Sequence, residues 1–462
     1  MRPSARKTLL LAASWLAVCL ACLPAAAQDS GPFAQVVEHT LKNGMKVLVL
    51  REPRAPVVTQ QVWYRVGSRN ERLGKTGLSH LTEHLMFKGT EKYGPKEFSR
   101  MVQRYGGSEN AFTGRDFTAY FQIGPATELK RWMEMEADRM RHLKVSPKDF
   151  DTERQVVLEE RRLRTEDDPV SFLVEETWAA AFKAHPYQWP VIGWYHDIES
   201  LSYQDFKRYY DTYYQPNNAT LVVAGDVDPK EVLDLAEKIY GVIPRGPEPP
   251  LVTAQEPQQY GERRVIVQRE AQLPYLLMVY HVPNWKHPDS FALEVLNELL
   301  SQGRSSRLYH RLVYKERLAL EAGSDYSLDT RDPSVFVLYG QPLPDKTVAQ
   351  LEAALDREVR RLQTELVGDQ ELQKVKNQVT AGFYMSLDSL FFRGMLLGKL
   401  ATTARWTLVK EYLPKIQAVT AEDLQRVARR YLIPNNRTVG VLSPLKTDKP
   451  IRGRYRPGGQ IR

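Results

Sequence analysis

A single internal offset governs this chain. Lys46-Val47-Leu48-Val49-Leu50-Arg51-Glu52, with Pro56, returns as Arg264-Val265-Ile266-Val267-Gln268-Arg269-Glu270, with Pro274, at a distance of 218 positions. Near the end of each copy, Asp205 through Tyr213 to Pro216-Asn217-Asn218-Ala219-Thr220 returns as Asp423 through Tyr431 to Pro434-Asn435-Asn436-Arg437-Thr438, again 218 positions on. One offset kept at both ends of a copy requires two units of equal length and of one fold. Between them, Pro244-Arg245-Gly246-Pro247-Glu248-Pro249-Pro250 reads as a stiff, extended linker. The units are expected at 28–243 and 261–443, with the linker over 244–260.

Each copy mixes the two hydrophobic periods. Strand signals fall at 46–50, 57–66, 118–123 and 220–224, and amphipathic helices at 77–88, 95–105, 126–143, 147–164, 203–214 and 229–240. The second copy gives strands near 264–267 and 275–282, and helices near 290–301, 347–366, 369–385 and 421–431. This alternation predicts an α+β fold in which each unit is a mostly antiparallel sheet with helices over one face.

The ends differ from the body. Arg2, Arg6 and Lys7 precede an apolar run from Leu9 to Leu23, and Ala25-Ala26-Ala27 forms a small-residue cleavage site, so residues 1–27 read as a secretory signal. The run is short for a membrane span. Both cysteines, Cys19 and Cys22, lie inside it; a lipid anchor on Cys22 is the alternative to cleavage after Ala27. Export is expected, with the periplasm of a Gram-negative bacterium as the destination. The mature chain then has no thiol for a disulfide or a metal. Losing the signal lowers the net charge from +8 to +5, with no Lys/Arg run in the body to form a nucleic-acid groove. The stretch 444–462, with Lys446, Lys449, Arg452, Arg454 and Arg456 among Pro and Gly, reads as a loose basic tail, and contact with an anionic membrane surface is its lesser reading.

Chemistry concentrates in Gly77-Leu78-Ser79-His80-Leu81-Thr82-Glu83-His84-Leu85-Met86-Phe87-Lys88. On a helix His80 and His84 stand one turn apart on one face, and two imidazoles so placed can hold one Zn²⁺ at about 2.0–2.1 Å. Glu83 projects to one side of them, within reach of water rather than of the ion. The alternative is an amphipathic helix with two packed histidines, so a third ligand has to decide. The predicted helix 147–164 offers one. Its apolar stripe reads Phe150, Glu153, Val156/Val157, Glu160, Leu163, placing two carboxylates where apolar side chains belong, while Glu159 points to the wet face with Gln155 and Arg162. A buried carboxylate needs a metal or a partner. Glu160 is thereby favoured over Glu159 as a ligand, with Glu153 supporting the site from outside the ligand set; an ion pair with the helix's arginines is the competing explanation.

Gly77, His80, Glu83, His84, Met86, Phe87 and Gly89-Thr90, with Glu153-Arg154 and Glu160, resemble the pitrilysin/insulinase family of zinc peptidases, whose His-x-x-Glu-His motif inverts the commoner His-Glu-x-x-His. The likeness is closest to its short members, among them the mitochondrial processing peptidase subunits, and spans nearly the whole mature chain. It implies a clamshell half built of two paralogous units, one Zn²⁺ per chain on His80, His84 and Glu160, Glu83 as general base and Glu153 as auxiliary carboxylate. It further implies a sheet edge that pairs with the substrate backbone, matched here by 106–113, with Asn110 and Ala111 as the substrate-binding positions. An exported metalloendopeptidase acting on oligopeptides or unfolded segments follows from the resemblance; a noncatalytic scaffold subunit of the same fold is the alternative. At the same offset of 218, Glu298, Ser301, Gln302 and Gln378 stand opposite His80, Glu83, His84 and Glu160, so the second copy lacks the ligand set. Single-chain relatives also place an Arg and, seven residues on, a Tyr in their second unit. Those positions here are Val313 and Leu320, with Tyr314 and Arg317 expected on other faces of the same helix. A heterodimer with a paralogue that lacks the zinc motif is therefore expected, a homodimer being the alternative.

Overall fold

The computed structural model describes residues 31–445. The signal segment and nearly all of the basic tail lie outside the described residues. The first sheet is built from β1 (Val37–Thr40), β2 (Lys46–Arg51), β3 (Val57–Tyr64), β4 (Ser108–Thr113), β5 (Thr118–Pro125) and β6 (Ala219–Gly225), in the order β1-β2-β6-β3-β5-β4. The second uses β7 (Arg263–Glu270), β8 (Tyr275–Val282), β9 (Ala319–Asp325), β10 (Ser334–Pro342) and β11 (Arg437–Leu445), in the order β7-β11-β8-β10-β9. Each sheet is antiparallel except for one parallel pair, β2 with β6 and β7 with β11. The α+β architecture and the mostly antiparallel sheets are as expected.

The repeat persists in three dimensions. β3 and β8 match end to end at 218 positions, as do the helices Tyr203–Tyr213 and Ala421–Tyr431 and the short turns Pro216–Asn218 and Pro434–Asn436. Local chemistry sets the helix starts. Ser146 and Asp149 form a capping box with Pro147 in the first turn, Asp168 caps a helix beginning at Pro169, and Asp228 does the same before Pro229. The linker 244–260 has no helix or strand. Asn217 pins it to the first half, its Oδ1 accepting from the Gly246 N–H at 3.0 Å and its Nδ2 donating to the Pro247 carbonyl at 3.1 Å. β11 runs through Pro444 and Leu445, into the stretch expected to be loose. Its pairing with β8 stops at Leu442 while that with β7 continues to Glu270, so the missing Pro444 N–H costs little there.

One expectation fails in an informative way. Helices cover both faces of the first sheet, not one, because the two halves exchange a helix. We number the helices in chain order: α1 (Leu78–Leu85), α2 (Glu97–Arg104), α3 (Leu129–His142), α4 (Pro147–Arg161), α5 (Pro169–Ala181), α6 (Tyr195–Ser200), α7 (Tyr203–Tyr213), α8 (Pro229–Ile239), α9 (Asp289–Ser301), α10 (Val348–Thr364), α11 (Asp369–Ser386), α12 (Leu390–Thr403), α13 (Leu408–Ala418) and α14 (Ala421–Tyr431). α5, from the first half, packs on β7 and β11, whereas α12, from the second, packs on β3 and β6. Close approach demands glycine at both crossings: a Cβ at Gly398 of α12 would meet the Trp63 ring, and one at Gly440 of β11 would meet Thr177 of α5. The cue in the sequence is β6 itself, an apolar run without alternation that is buried at every position. Among the described residues, no helix is long and apolar enough to cross a membrane.

A buried polar knot joins the halves as well. Arg69 and His185 of the first half both bind Asp332 of the second, the His185 Nε2 at 3.1 Å; Tyr187 donates to Asp116 at 2.8 Å, and Asp116 in turn accepts the Arg331 N–H at 3.1 Å. Burial alone would raise the Asp332 carboxyl, but the hydrogen bonds from His185 and Arg69 hold it well below the usual carboxylate range. The unfolded chain thus takes up a proton near pH 4 that the folded chain refuses, and stability is lost as pH falls through that region. Asp332→Asn is expected to cost about 3 kcal/mol at neutral pH and to flatten the fall of Tm on acidification. A wild-type acid profile reproduced by the variant would exclude this role.

Candidate active site

α1 delivers the motif. Gly77, at φ 85°, starts the helix without a capping side chain. A Cβ on Gly77 would strike the Ile192 carbonyl, and one on Gly193 would strike Gly77 itself, so this helix start fits only because two glycines lie back to back. The cap comes from Glu71, which is buried and accepts the Gly77 and Ser79 N–H groups at 2.9 and 2.6 Å. Sequence reasoning missed Glu71, and nothing in its spacing announces it.

The three expected ligands converge. One ligand atom each from His80, His84 and Glu160 lies within 4.8 Å of the others. Glu160 Oε2 is 3.3 Å from His84 Nε2 and 3.8 Å from His80 Nε2. Tetrahedral coordination at about 2.0–2.1 Å places ligand atoms about 3.3 Å apart, so the donor set fits Zn²⁺ in both chemistry and spacing. His84 Nδ1 is 3.0 Å from Glu153 Oε1, and Lys88 binds the other Glu153 oxygen. A proton kept on that side would leave the His84 Nε2 lone pair for a metal ion, whereas without one Nε2 carries a proton toward Glu160. Burial drives His80 down to about 4, which keeps it neutral. Burial would lower His84 too, but hydrogen bonds to Glu153 and Glu160 carry it up to about 9. Against burial, His84, His80 and Arg164 hold the Glu160 carboxyl down at about 2. The competing ion pair is also real, since Arg164 binds Glu160 Oε1 at 2.5 Å.

α4 corrects the expected stripe. Its buried face is Phe150, Val157, Leu158 and Arg161, while Val156 and Leu163 are exposed. The inward residue after Glu160 is an arginine because Arg161 forks onto Glu175 of α5 at 2.7 and 2.9 Å and onto the Gly193 carbonyl at 2.6 Å. Beyond it the helix widens into a π turn, Arg162–Glu166, rather than continuing regularly to 164. Of the neighbouring glutamates, the Glu159 side chain is 66 % exposed and the Glu160 side chain 16 %.

Glu83 faces the same space and is not one of the converging ligands. Thr113 of β4 donates to its Oε2, and burial pushes its carboxyl up to about 7 although that hydrogen bond works the other way. Thr113 is a second residue the sequence reading missed. A cleft of about 670 Å³ opens in front of these groups, and Asn110, Ala111 and Thr113 form one wall. β4 is the end strand of its sheet, so its outer edge is unpaired among the described residues. Asn110 turns its own side-chain oxygen onto the Ala111 N–H at 2.9 Å.

Two interlocked copies of one sheet, with a His-x-x-Glu-His helix and a distant glutamate in the first copy only, define the class of inverted-motif metallopeptidase folds. The chain belongs to the insulinase family of peptidases, M16. The model of "Insulinase (Peptidase family M16)" matches residues 46–193, and that of "Peptidase M16 inactive domain" matches residues 200–379. The zinc protease PqqE of Helicobacter pylori is 34% identical over 409 residues, covering 88% of this chain and 92% of that protein. A probable mitochondrial-processing peptidase subunit beta of Arabidopsis thaliana is 24% identical over 429 residues, covering 90% and 80%. The crystal structure of a protease from Helicobacter pylori superposes with a TM-score of 0.86 at 34% identity, covering 89% of this chain and 99% of that one.

Proposed function

We propose that this chain is an exported zinc endopeptidase that cleaves oligopeptides or unfolded segments. The convergence of His80, His84 and Glu160 beside a half-buried Glu83 outside that set carries the reading. A scaffold subunit would have no use for that set. Zn²⁺ held by the three residues would supply a Lewis acid for the peptide carbonyl and for the attacking water. Glu83 takes the proton of that water on Oε1, since Thr113 holds Oε2, and passes it to the departing amine; a carboxyl poised near neutrality suits both transfers. Glu153 fixes the ring and the proton of His84, and Lys88 keeps Glu153 charged. The free edge of β4 at Asn110 and Ala111 lines up an extended peptide by main-chain hydrogen bonds, which demands little of its sequence.

The purified protein is expected to hold one zinc per chain and to lose peptide cleavage in a chelator. Glu160→Gln should weaken zinc retention by tenfold or more, whereas Glu159→Gln should leave it within about twofold. Metal analysis after dialysis decides, and the reverse order would overturn the assignment on α4. Export is a separate claim, supported by the basic-then-apolar segment ending at Ala27. Sequencing the mature N-terminus should find Gln28 first; an intact Met1 or a lipidated Cys22 would exclude cleavage at that point.

A further inference from the structure

A second cavity, of about 900 Å³, lies on the other side of β4 from the metal-ligand cluster. Phe112 lines it, Ala111 and Thr113 line the cleft described above, and Asn110 borders both. Across from Phe112 stand Glu298, Gln302 and Gln378, the second copy's counterparts of His80, His84 and Glu160. The vestige of the duplicated metal site is thus an open chamber rather than a filled core.

Its charge is out of balance. Glu294 of α9 lines the chamber; its Oε1 accepts from Tyr412 at 3.1 Å, and its Oε2 is shut off from solvent with no hydrogen-bond partner among the described residues. Glu298 follows one turn later on the same helix and also lines the chamber. Among the described residues the one cation on the wall, Lys399, is already bound to Asp329 at 2.8 Å. Burial and the neighbouring charges of Glu298 and Asp329 push the Glu294 carboxyl up to about 8. A shielded carboxylate oxygen without a partner is costly, and a cationic guest would relieve that cost. The remaining walls mix aromatic side chains, Phe121, Phe383 and Phe391 among them, with aliphatic ones such as Met395 and Leu396, and suit an alkyl stem or a guanidinium face.

We infer that this chamber is a binding pocket for one long cationic side chain, lysine or arginine, of the bound peptide, with the stem against the aromatic walls and the head on Glu294 and Glu298. The inference rests on the peptidase reading, through the docking of substrate on β4. A strand added to the free edge of β4 sends its side chains alternately to the sheet's two faces. One set faces the metal-ligand cluster with Ala111 and Thr113, the other faces the chamber with Phe112.

The test measures binding rather than turnover. The full chain carrying Glu83→Gln, loaded with zinc, is titrated with fluorescent peptides in which lysine replaces norleucine at each position in turn. Lysine should tighten binding by roughly ten- to hundredfold, the range of one charge-assisted hydrogen bond. The gain should occur at one position or at positions two apart, never at adjacent ones. Adding Glu294→Gln and Glu298→Gln should bring the lysine/norleucine ratio close to one, and Glu298→Lys, a change at a partly exposed residue, should favour glutamate at the same position. A lysine preference that is absent everywhere, or that survives both sets of changes, overturns the pocket. Cleavage by the parent chain with no lysine preference would sink the pocket and leave the peptidase reading standing. Lysine-selective binding by a parent that cleaves nothing would do the opposite.

Discussion

Glu83→Gln is expected to lower peptide turnover by about 10²–10⁴-fold, the usual contribution of a general base, while zinc content stays at one per chain. The two halves of this result come from separate contacts. The amide oxygen of Gln can still accept the Thr113 hydroxyl, so the side chain keeps its place. Glu83 is not one of the three converging ligands, so the metal site loses nothing. What disappears is a carboxylate lifted to about 7, able to take a proton and return it. Turnover and metal content measured on one preparation make the check. Normal activity in the variant would sink the mechanism, and loss of zinc along with activity would recast Glu83 as a ligand.

The second large effect concerns a partner. The isolated chain is expected to be a poor peptidase, and a paralogous subunit bearing the absent Arg/Tyr pair should raise kcat/KM by about 10²–10³-fold, the worth of one or two donors on a developing oxyanion. The structure corrects the geometry of these two positions. Val313 lies in the π turn Tyr309–Lys315, packed partly buried against the second half's core, whereas Leu320 stands exposed on β9. The two positions therefore belong to a helix and a strand and not to one helix, with Arg317 at φ 48° between them. Tyr314 is 68 % exposed, and neither it nor Arg317 recreates the missing spacing. Assays of the chain alone, with the product of a neighbouring related gene, and as Val313→Arg/Leu320→Tyr decide the matter. Full activity from the chain alone, with no gain from the double substitution, would remove the need for a partner.

Much of this molecule could be read before its coordinates. The strand expected near 275–282 and the helix expected near 421–431 coincide with β8 and α14, because strand and turn chemistry repeats wherever the backbone repeats. The convergence of His80, His84 and Glu160 was legible in part: helical spacing puts His80 beside His84, while Glu160 was set apart from Glu159 by a stripe whose members Val156 and Leu163 are exposed. Other features depend on contacts between residues far apart in the chain. The Glu71 cap, the Thr113 grip on Glu83 and the Arg161–Glu175 fork leave no periodic trace, and the last of these turned Leu163 out to solvent. β10 and β11 were missed although the offset carries 118–123 and 220–224 to 336–341 and 438–442, inside both strands, whereas β9 was missed because β4 carries forward to 326–331 and the strand there lies at 319–325.

The exchanged helices have a consequence for assembly. Because α5 and α12 each complete the other copy's sheet, part of the hydrophobic core is shared between the halves, although the first half also encloses a cluster of its own, and the covalent link between them is the least of what holds them together. A protease that nicks the exposed linker between residues 244 and 260 would release no fragment. The two pieces would migrate as one particle and unfold together, and chains made from two separate messages would have to find each other before either could finish folding. The duplication that made this protein has become irreversible at the level of structure: a single ancestral unit, cut back out of it today, would lack the helix its sister now supplies.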